Sequence, residues 1–233
     1  MTEESRSAEP GPARQVLADL RPQTYAKAPS SSVLDPIVEP LWTGLRVLAS
    51  IDASGVALVA EDGEAIDGFD LIVEALVVAA PAGEIVVDGF ITKQATRAAA
   101  AVVAWSDEMP SMSTMVGLRR NRAVDTLKLK EGSLADATFD ETDSIAFVAT
   151  DLLWLDETPL LDVPLLERRR LLEAVVIESD AVRIGAFVRP PIDRWVASWR
   201  AQGFSGLTFK AANSRYLPGR PNPDWVIAGM PRR

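Results

Sequence analysis

Chemistry in this chain has to be built from lysine, arginine, aspartate, glutamate, serine, threonine and tyrosine, because its 233 residues include no histidine and no cysteine. That absence excludes Ser-His-Asp catalysis, imidazole bases, thiolate nucleophiles, disulfides and His- or Cys-ligated metals. The stretch Glu39-Pro40-Leu41-Trp42-Thr43-Gly44-Leu45-Arg46 sets one carboxylate and one guanidinium among turn-forming and apolar residues. Elsewhere Asp88 and Asp151 each stand inside an apolar run. Asp88 precedes Gly89 and reads as a turn-former, and Asp151 as a hydrogen-bond anchor on a strand. No base stands beside a nucleophile at a recognisable spacing.

The net charge of −9 is unevenly spread. From Arg183 onward there are nine basic and two acidic residues, so this segment is near +7 and the first 182 residues near −16. An acidic total opposes non-specific DNA binding by the whole surface, because that affinity depends on neutralising phosphates. The basic C-terminal segment (Arg183, Arg189, Arg194, Arg200, Arg215, Arg220, Arg232 and Arg233) either meets a phosphate-bearing ligand or pairs with acidic residues of the same fold. Close to half of the residues are apolar, as in ordinary soluble domains. No apolar run reaches the ~18 residues a membrane helix needs, and the N-terminus lacks a secretory pattern. A cytoplasmic protein with no membrane partner is expected.

The elements that must position these residues begin after a stretch rich in Ser, Pro, Ala and Glu. Residues 1–34 read as a flexible tail, with one or two helical turns over Gln15–Leu20, and residues 35–233 as the folded domain. Leu45–Ile51 and Val56–Ala60, joined by Asp52-Ala53-Ser54-Gly55, predict a β-hairpin. Apolar spacing predicts a helix over Asp70–Ala80, ending before Pro81. Glu84–Thr92 reads as a strand interrupted by Asp88-Gly89, and Ala95–Trp105 as an alanine-rich helix. The basic cluster Arg119, Arg120 and Arg122, with Lys128 and Lys130, reads as a solvated face. Ser144–Leu155 predicts a strand. Leu165–Val176 predicts an amphipathic helix carrying Glu167-Arg168-Arg169-Arg170 on its polar side. A short strand over Ile184–Val188, a helix over Ile192–Gln202, and strands over Gly206–Ala211 and Trp225–Ala228 complete the pattern. Trp195 and Trp199, four residues apart, read as core packing. This order of hairpins and helices predicts an α+β fold on antiparallel sheets.

Several strings together resemble the adenylation (nucleotidyltransferase) domain of ATP-dependent DNA ligases, of the bacterial end-joining type, from about Ile37 to Met230. In that family the first motif reads Glu-Pro-Lys-Trp-Asp-Gly-Phe-Arg, and its lysine attacks the α-phosphate of ATP. Here Leu41 stands at the nucleophile position and Thr43 at the aspartate, while Trp42, Gly44 and Arg46 match. The family's Ser-Arg-Asn-Gly is Ala60-Glu61-Asp62-Gly63, and its Leu-Asp-Gly-Glu is Val87-Asp88-Gly89-Phe90. The most specific match is Phe147-Val148-Ala149-Thr150-Asp151-Leu152-Leu153, in which Thr150 replaces an adenine-stacking phenylalanine. Pro164-Leu165-Leu166-Glu167-Arg168-Arg169 and Tyr216-Leu217-Pro218-Gly219-Arg220 also resemble family sequence. The family's Glu-Gly-Val-Val-Ala-Lys is Ser205-Gly206-Leu207-Thr208-Phe209-Lys210, and the final motif loses both lysines, at Ile227 and Gly229.

The resemblance implies a two-lobed antiparallel-sheet nucleotidyltransferase fold, without the OB-fold domain of full ligases. It implies no catalytic residue, since leucine offers no lone pair at position 41. Glu39, Arg46 and Lys210 would contact adenine, ribose and phosphate, and no metal ligand is assigned. The expected function is that of a degenerate, catalytically inactive ligase-family protein that binds a partner or a nucleotide. The alternative is a ligase role in DNA repair and recombination with residual ATP or DNA binding. ATP or AMP would bind without covalent adenylation. DNA or a DNA-repair protein would meet the basic C-terminal segment.

Overall fold

The computed structural model of the chain describes residues 11–81, 83–93 and 145–231. The expected helix over Ala95–Trp105 and the basic cluster at Arg119–Arg122 lie outside the described residues.

Two sheets carry the fold. The larger is built on β3 (Leu45–Asp52) and β4 (Gly55–Ala60), the expected hairpin. Its turn closes because Asp52 Oδ1 accepts from the Ser54 amide at 2.8 Å and Gly55 takes φ 111°, a conformation that favours glycine. β5 (Ile85–Thr92), β6 (Ala146–Leu155) and the two-residue β7 (Thr158–Pro159) extend it antiparallel in the order β4-β3-β5-β6-β7. β8 (Val182–Ile184) joins β6 in parallel. The smaller sheet has the order β1-β10-β9-β2, from β1 (Thr24–Ala26), β10 (Pro221–Gly229), β9 (Gly206–Ala211) and β2 (Pro36–Pro40). Its pairs are antiparallel except β1 with β10.

Side-chain alternation decides what each face meets. On β3, Val47, Ala49 and Ile51 turn to one side and pack with α2 (Asp70–Ala79) and α3 (Leu165–Val175). Leu48 turns to the other side and joins Ile37, Val86, Leu153, Tyr216 and Trp225 in the core between the sheets. A third cluster packs α4 (Asp193–Ala201), through Val196 and Trp199, on Val38 and Leu207. Trp199 is thus a core residue, as its spacing predicted.

The structure corrects three expectations. Residues 11–34 are not a loose tail: α1 (Pro12–Asp19) buries Ala13 and Leu17 in the inter-sheet core, and β1 pairs with β10. Burying one leucine is worth about 2 kcal/mol, enough to hold a short helix in place. The boundary expected at residue 34 therefore falls inside ordered packing. Asp88-Gly89 do not interrupt β5; the strand runs through them with a register shift against β6. Gly89 is required there, since a Cβ would lie 2.5 Å from the Val148 carbonyl oxygen. Finally, only part of the arginine run on α3 is polar surface. Arg170 is exposed and paired with Glu167 at 2.6 Å, whereas Arg168 and Arg169 are fully buried.

Candidate functional site

The chain crosses between the sheets through Leu41–Gly44, at the end of β2. Three features shape this crossing. The Leu41 amide donates to the Gly206 carbonyl at 2.9 Å, fastening the loop to the start of β9. Trp42 is buried and meets Phe204 edge-on, with ring centroids 5.1 Å apart. Gly44 takes φ 136°, and a Cβ there would lie 2.3 Å from the Ile91 carbonyl oxygen, so no other residue fits. The Leu41 side chain is half-buried against Gly206. It has no atom that can donate electrons to phosphorus.

Glu39 and Lys210 come together across β2 and β9. Lys210 Nζ donates to Glu39 Oε2 at 2.6 Å and sits 4.2 Å from the Trp225 ring centroid. Both are almost fully buried. Glu39 Oε1 has no hydrogen-bond partner among the described residues, and neither has Thr208 Oγ1, whose residue stands opposite Glu39 in the register.

Arg46 lies apart from that pair, on β3. It grips Asp88 with two parallel bonds, Nε to Oδ1 at 3.0 Å and Nη2 to Oδ2 at 2.6 Å, and donates through Nη1 to the Gln23 carbonyl at 2.6 Å. Its guanidinium carbon is 5.8 Å from the Phe90 ring centroid, and Glu61 approaches at 3.9 Å from the solvent side. Burial opposes the charge on Arg46, but Asp88 more than offsets this and raises its pKa well above the usual arginine value. The Tyr216 hydroxyl donates to Asp88 Oδ2 at 2.7 Å and accepts from the Gln23 amide at 3.2 Å. Burial first, and the Asp88 charge next, push the Tyr216 hydroxyl pKa well above its ordinary value. Gln23 Oε1 in turn accepts from Asn222 Nδ2 and the Leu217 amide, both at 2.8 Å. Asp88 is thus the anion of a network spanning both sheets, and the turn-former reading of it is wrong.

Asp151 is the anchor expected. Arg168 holds it with bonds of 2.8 and 2.7 Å, and Arg168 also donates to the Val163 and Ser214 carbonyls. Arg169 donates to the carbonyls of Ala149, Thr150 and Gly185. Thr150 is buried, its hydroxyl donating to the Asp88 carbonyl at 3.1 Å. Phe90 is half-buried, and Thr43 partly buried; Ser205, Ile227, Gly229 and Glu61 are exposed. A cavity of about 390 Å³ lies elsewhere, near Arg14, Leu58, Ile66 and Phe69, and touches none of Glu39, Arg46 or Lys210. Sequence reasoning missed Gln23 and Asn222, which carry no motif, and the role of Tyr216, whose only signal was its place in the family-like string Tyr216-Leu217-Pro218-Gly219-Arg220. It also missed the burial of Arg168 and Arg169, for which the only signal was their place within a family-like string.

The basic C-terminal segment is partly neutralised within the fold. Arg189 pairs with Asp35 at 2.9 Å, Arg215 with Asp162 at 3.4 Å and Arg183 with Asp180 at 3.0 Å. Arg200 donates to the Pro231 carbonyl. No helix among the described residues is long and apolar enough to cross a membrane.

Comparisons with known proteins place this geometry. The model of the family described as ATP dependent DNA ligase domain matches residues 30–226. The multifunctional non-homologous end joining DNA repair protein LigD of Mycobacterium tuberculosis is 28% identical over 188 residues, which are 81% of this chain. The chain spans only about a fifth (21%) of that relative's length, and the same holds for LigD of Mycobacterium bovis. Among solved structures, the ligase domain of M. tuberculosis LigD aligns with a TM-score of 0.64 and 22% identity, over 91% of this chain and 60% of that one. The mycobacterial DNA ligase D complexed with ATP and MES aligns with a TM-score of 0.57 and 24% identity, over 90% and 60%. These two share the fold, an α+β ligase nucleotidyltransferase domain. With the family's sequence pattern running from β2 to β10, the chain belongs to the ATP dependent DNA ligase domain family.

Proposed function

We propose that this domain is a catalytically silent member of its family, one that keeps the fold for binding and forms no covalent adenylate. The observation that carries the proposal is Leu41 at the crossing between the sheets, where the resemblance puts the nucleophilic lysine. Losing a covalent nucleophile costs several powers of ten in rate, each about 1.4 kcal/mol. The state of the two remaining cations supports the same conclusion. Lys210 is held by Glu39 and Arg46 by Asp88, so internal carboxylates occupy the donors a phosphate would use.

The family, and the ATP complex of one structural relative, make nucleotide a reasonable ligand. Glu39 Oε1 and Thr208 Oγ1, buried without partners among the described residues, favour a polar ligand such as a base at that end of the cleft. Glu39, Arg46 and Lys210 then contact base, ribose and phosphate with their ion pairs kept. Breaking a buried pair costs about 3–5 kcal/mol, which cancels the ~4 kcal/mol of millimolar binding. Nucleotide binding that pulls Lys210 off Glu39 is therefore weaker than millimolar.

The test incubates the protein with α-labelled ATP and magnesium, denatures it in acid and counts label retained on the chain. No label is expected on the wild type, and none on Leu41→Lys, because Phe90 and Ser205 still stand where the resemblance puts carboxylates. Calorimetry with AMP and ATP is expected to show no binding tighter for ATP than for AMP. Label on the wild-type chain would overturn the proposal.

A further inference from the structure

The lobe opposite the C-terminal strands carries an apolar stripe that packing among the described residues leaves bare. On α2, Ile72, Leu76 and Ala79 are buried in the core. The other side of the same helix exposes Leu71 by 74% and Val78 by 72%, seven residues apart and therefore in line along one face. Val77, 51% exposed, flanks them. Ile177, 58% exposed, extends the stripe past the helix end, where its amide donates to the Ala79 carbonyl at 2.8 Å. Single exposed apolar residues are ordinary, but Leu71, Val77 and Val78 on one helix, with Ile177 beside its end, mark an interaction surface.

The surrounding charge says what would cover it. From Val47 to Thr92 the chain has nine acidic residues, of which Asp88 is buried against Arg46, and not one lysine or arginine. Asp70 and Glu74 lie on the exposed face of α2 itself, Asp67 precedes it, and Glu173 and Glu178 flank Ile177; all five are exposed. The described arginines on this side are engaged elsewhere: Arg14 donates to the Val56 carbonyl, Arg170 pairs with Glu167 at 2.6 Å and Arg183 with Asp180 at 3.0 Å. An apolar stripe with an acidic rim is complementary to a helix with an apolar face and a basic rim.

We propose that this face of α2 and Ile177 docks a basic amphipathic helix of a partner protein. The apolar stripe supplies the contact, and Asp67, Asp70, Glu74, Glu173 and Glu178 select for lysine and arginine at the rim and speed the encounter. The site is independent of the inter-sheet cleft and does not rest on whether a nucleotide binds there.

The test titrates the full chain into a fluorescein-labelled Leu/Lys amphipathic 18-mer and follows anisotropy, with a Leu/Glu 18-mer as control. The expected result is saturable micromolar binding of the basic peptide only, weakened at least tenfold between 50 and 300 mM salt, as surface charge pairs are screened. Leu71→Ser with Val78→Ser is expected to weaken it more than tenfold, and Glu74→Lys by three- to tenfold. These positions are exposed, and unchanged melting temperatures would show that the variants fold. Absence of binding, or equal binding by the Leu71→Ser/Val78→Ser protein, would overturn the proposal. So would a wild-type dimer that the same double substitution turns into a monomer, since the occupant would then be a second copy.

Discussion

Arg168 and Arg169 of α3 are buried, as are Arg46 and Lys210 between the sheets, yet their charges are met by different groups. Arg168 and Arg169 spend most of their hydrogen bonds on backbone carbonyls, those of Ala149, Thr150, Val163, Gly185 and Ser214, with Asp151 as their one carboxylate. They clamp α3 to β6 and to the segments beside it, a role no ligand could take over. Arg46 and Lys210 instead put their strongest bonds into the side chains of Asp88 and Glu39. In a family described as ATP dependent, these are buried cations already neutralised by the protein. The scaffold clamps match family sequence, while position 41 and its neighbours in the other motifs depart from it.

The comparison is broken most directly at the clamp. Arg168→Met leaves Asp151 buried without a counter-charge and the Val163 carbonyl without its arginine donor, and is expected to cost about 3–5 kcal/mol. Urea unfolding measures it, and a cost below ~1 kcal/mol would mean the clamp is dispensable. Lys210→Met strands Glu39 in the same way and is expected to cost about 3 kcal/mol. Here the double change Glu39→Gln with Lys210→Met should recover most of the loss, because each charge is the other's one ionic partner among the described residues. A double mutant as unstable as the sum of the singles would remove the distinction between cleft and clamp.

The smallest effect is expected at Tyr216. Tyr216→Phe removes one hydrogen bond to Asp88 and should cost about 1–2 kcal/mol at neutral pH. Its pH dependence is the sharper reading. Burial and Asp88 raise the hydroxyl pKa in the folded protein, and burial raises that of Tyr25 as well. A raised folded value means the stabilisation is complete below the ordinary tyrosine pKa near 10 and drains away as pH climbs above it. Wild-type stability should therefore fall from about pH 10 upward, more steeply than that of Tyr216→Phe. Equal slopes would detach Tyr216 from the network.

Much of the fold was legible because its signals are local. The β3–β4 hairpin, α2, β6, α3 and β9 follow from alternation, helical spacing and turn residues within a few positions of each other. The extension of β10 back to Pro221 and the ordering of α1 were not, because each depends on a strand or core that arrives from far along the chain. α1 has only a short apolar pattern, and it is held by Ile37, Leu48 and Trp225 rather than by its own propensity.

By itself the sequence determined which residue types are available: it has no cysteine and no histidine, and leucine stands at position 41, where the resemblance puts the family's lysine. It also determined the family, through glycines, tryptophans and strand residues whose meaning is local. Only the tertiary structure decided how the remaining charges are spent. Lys210 meets Glu39 across 171 positions, and Tyr216 meets Gln23 across 193 and Asp88 across 128. No pattern within a window of sequence reports such pairings, because strand pairing within the smaller sheet and the packing of the two sheets bring those groups within 3.2 Å and remove the water that would otherwise separate them.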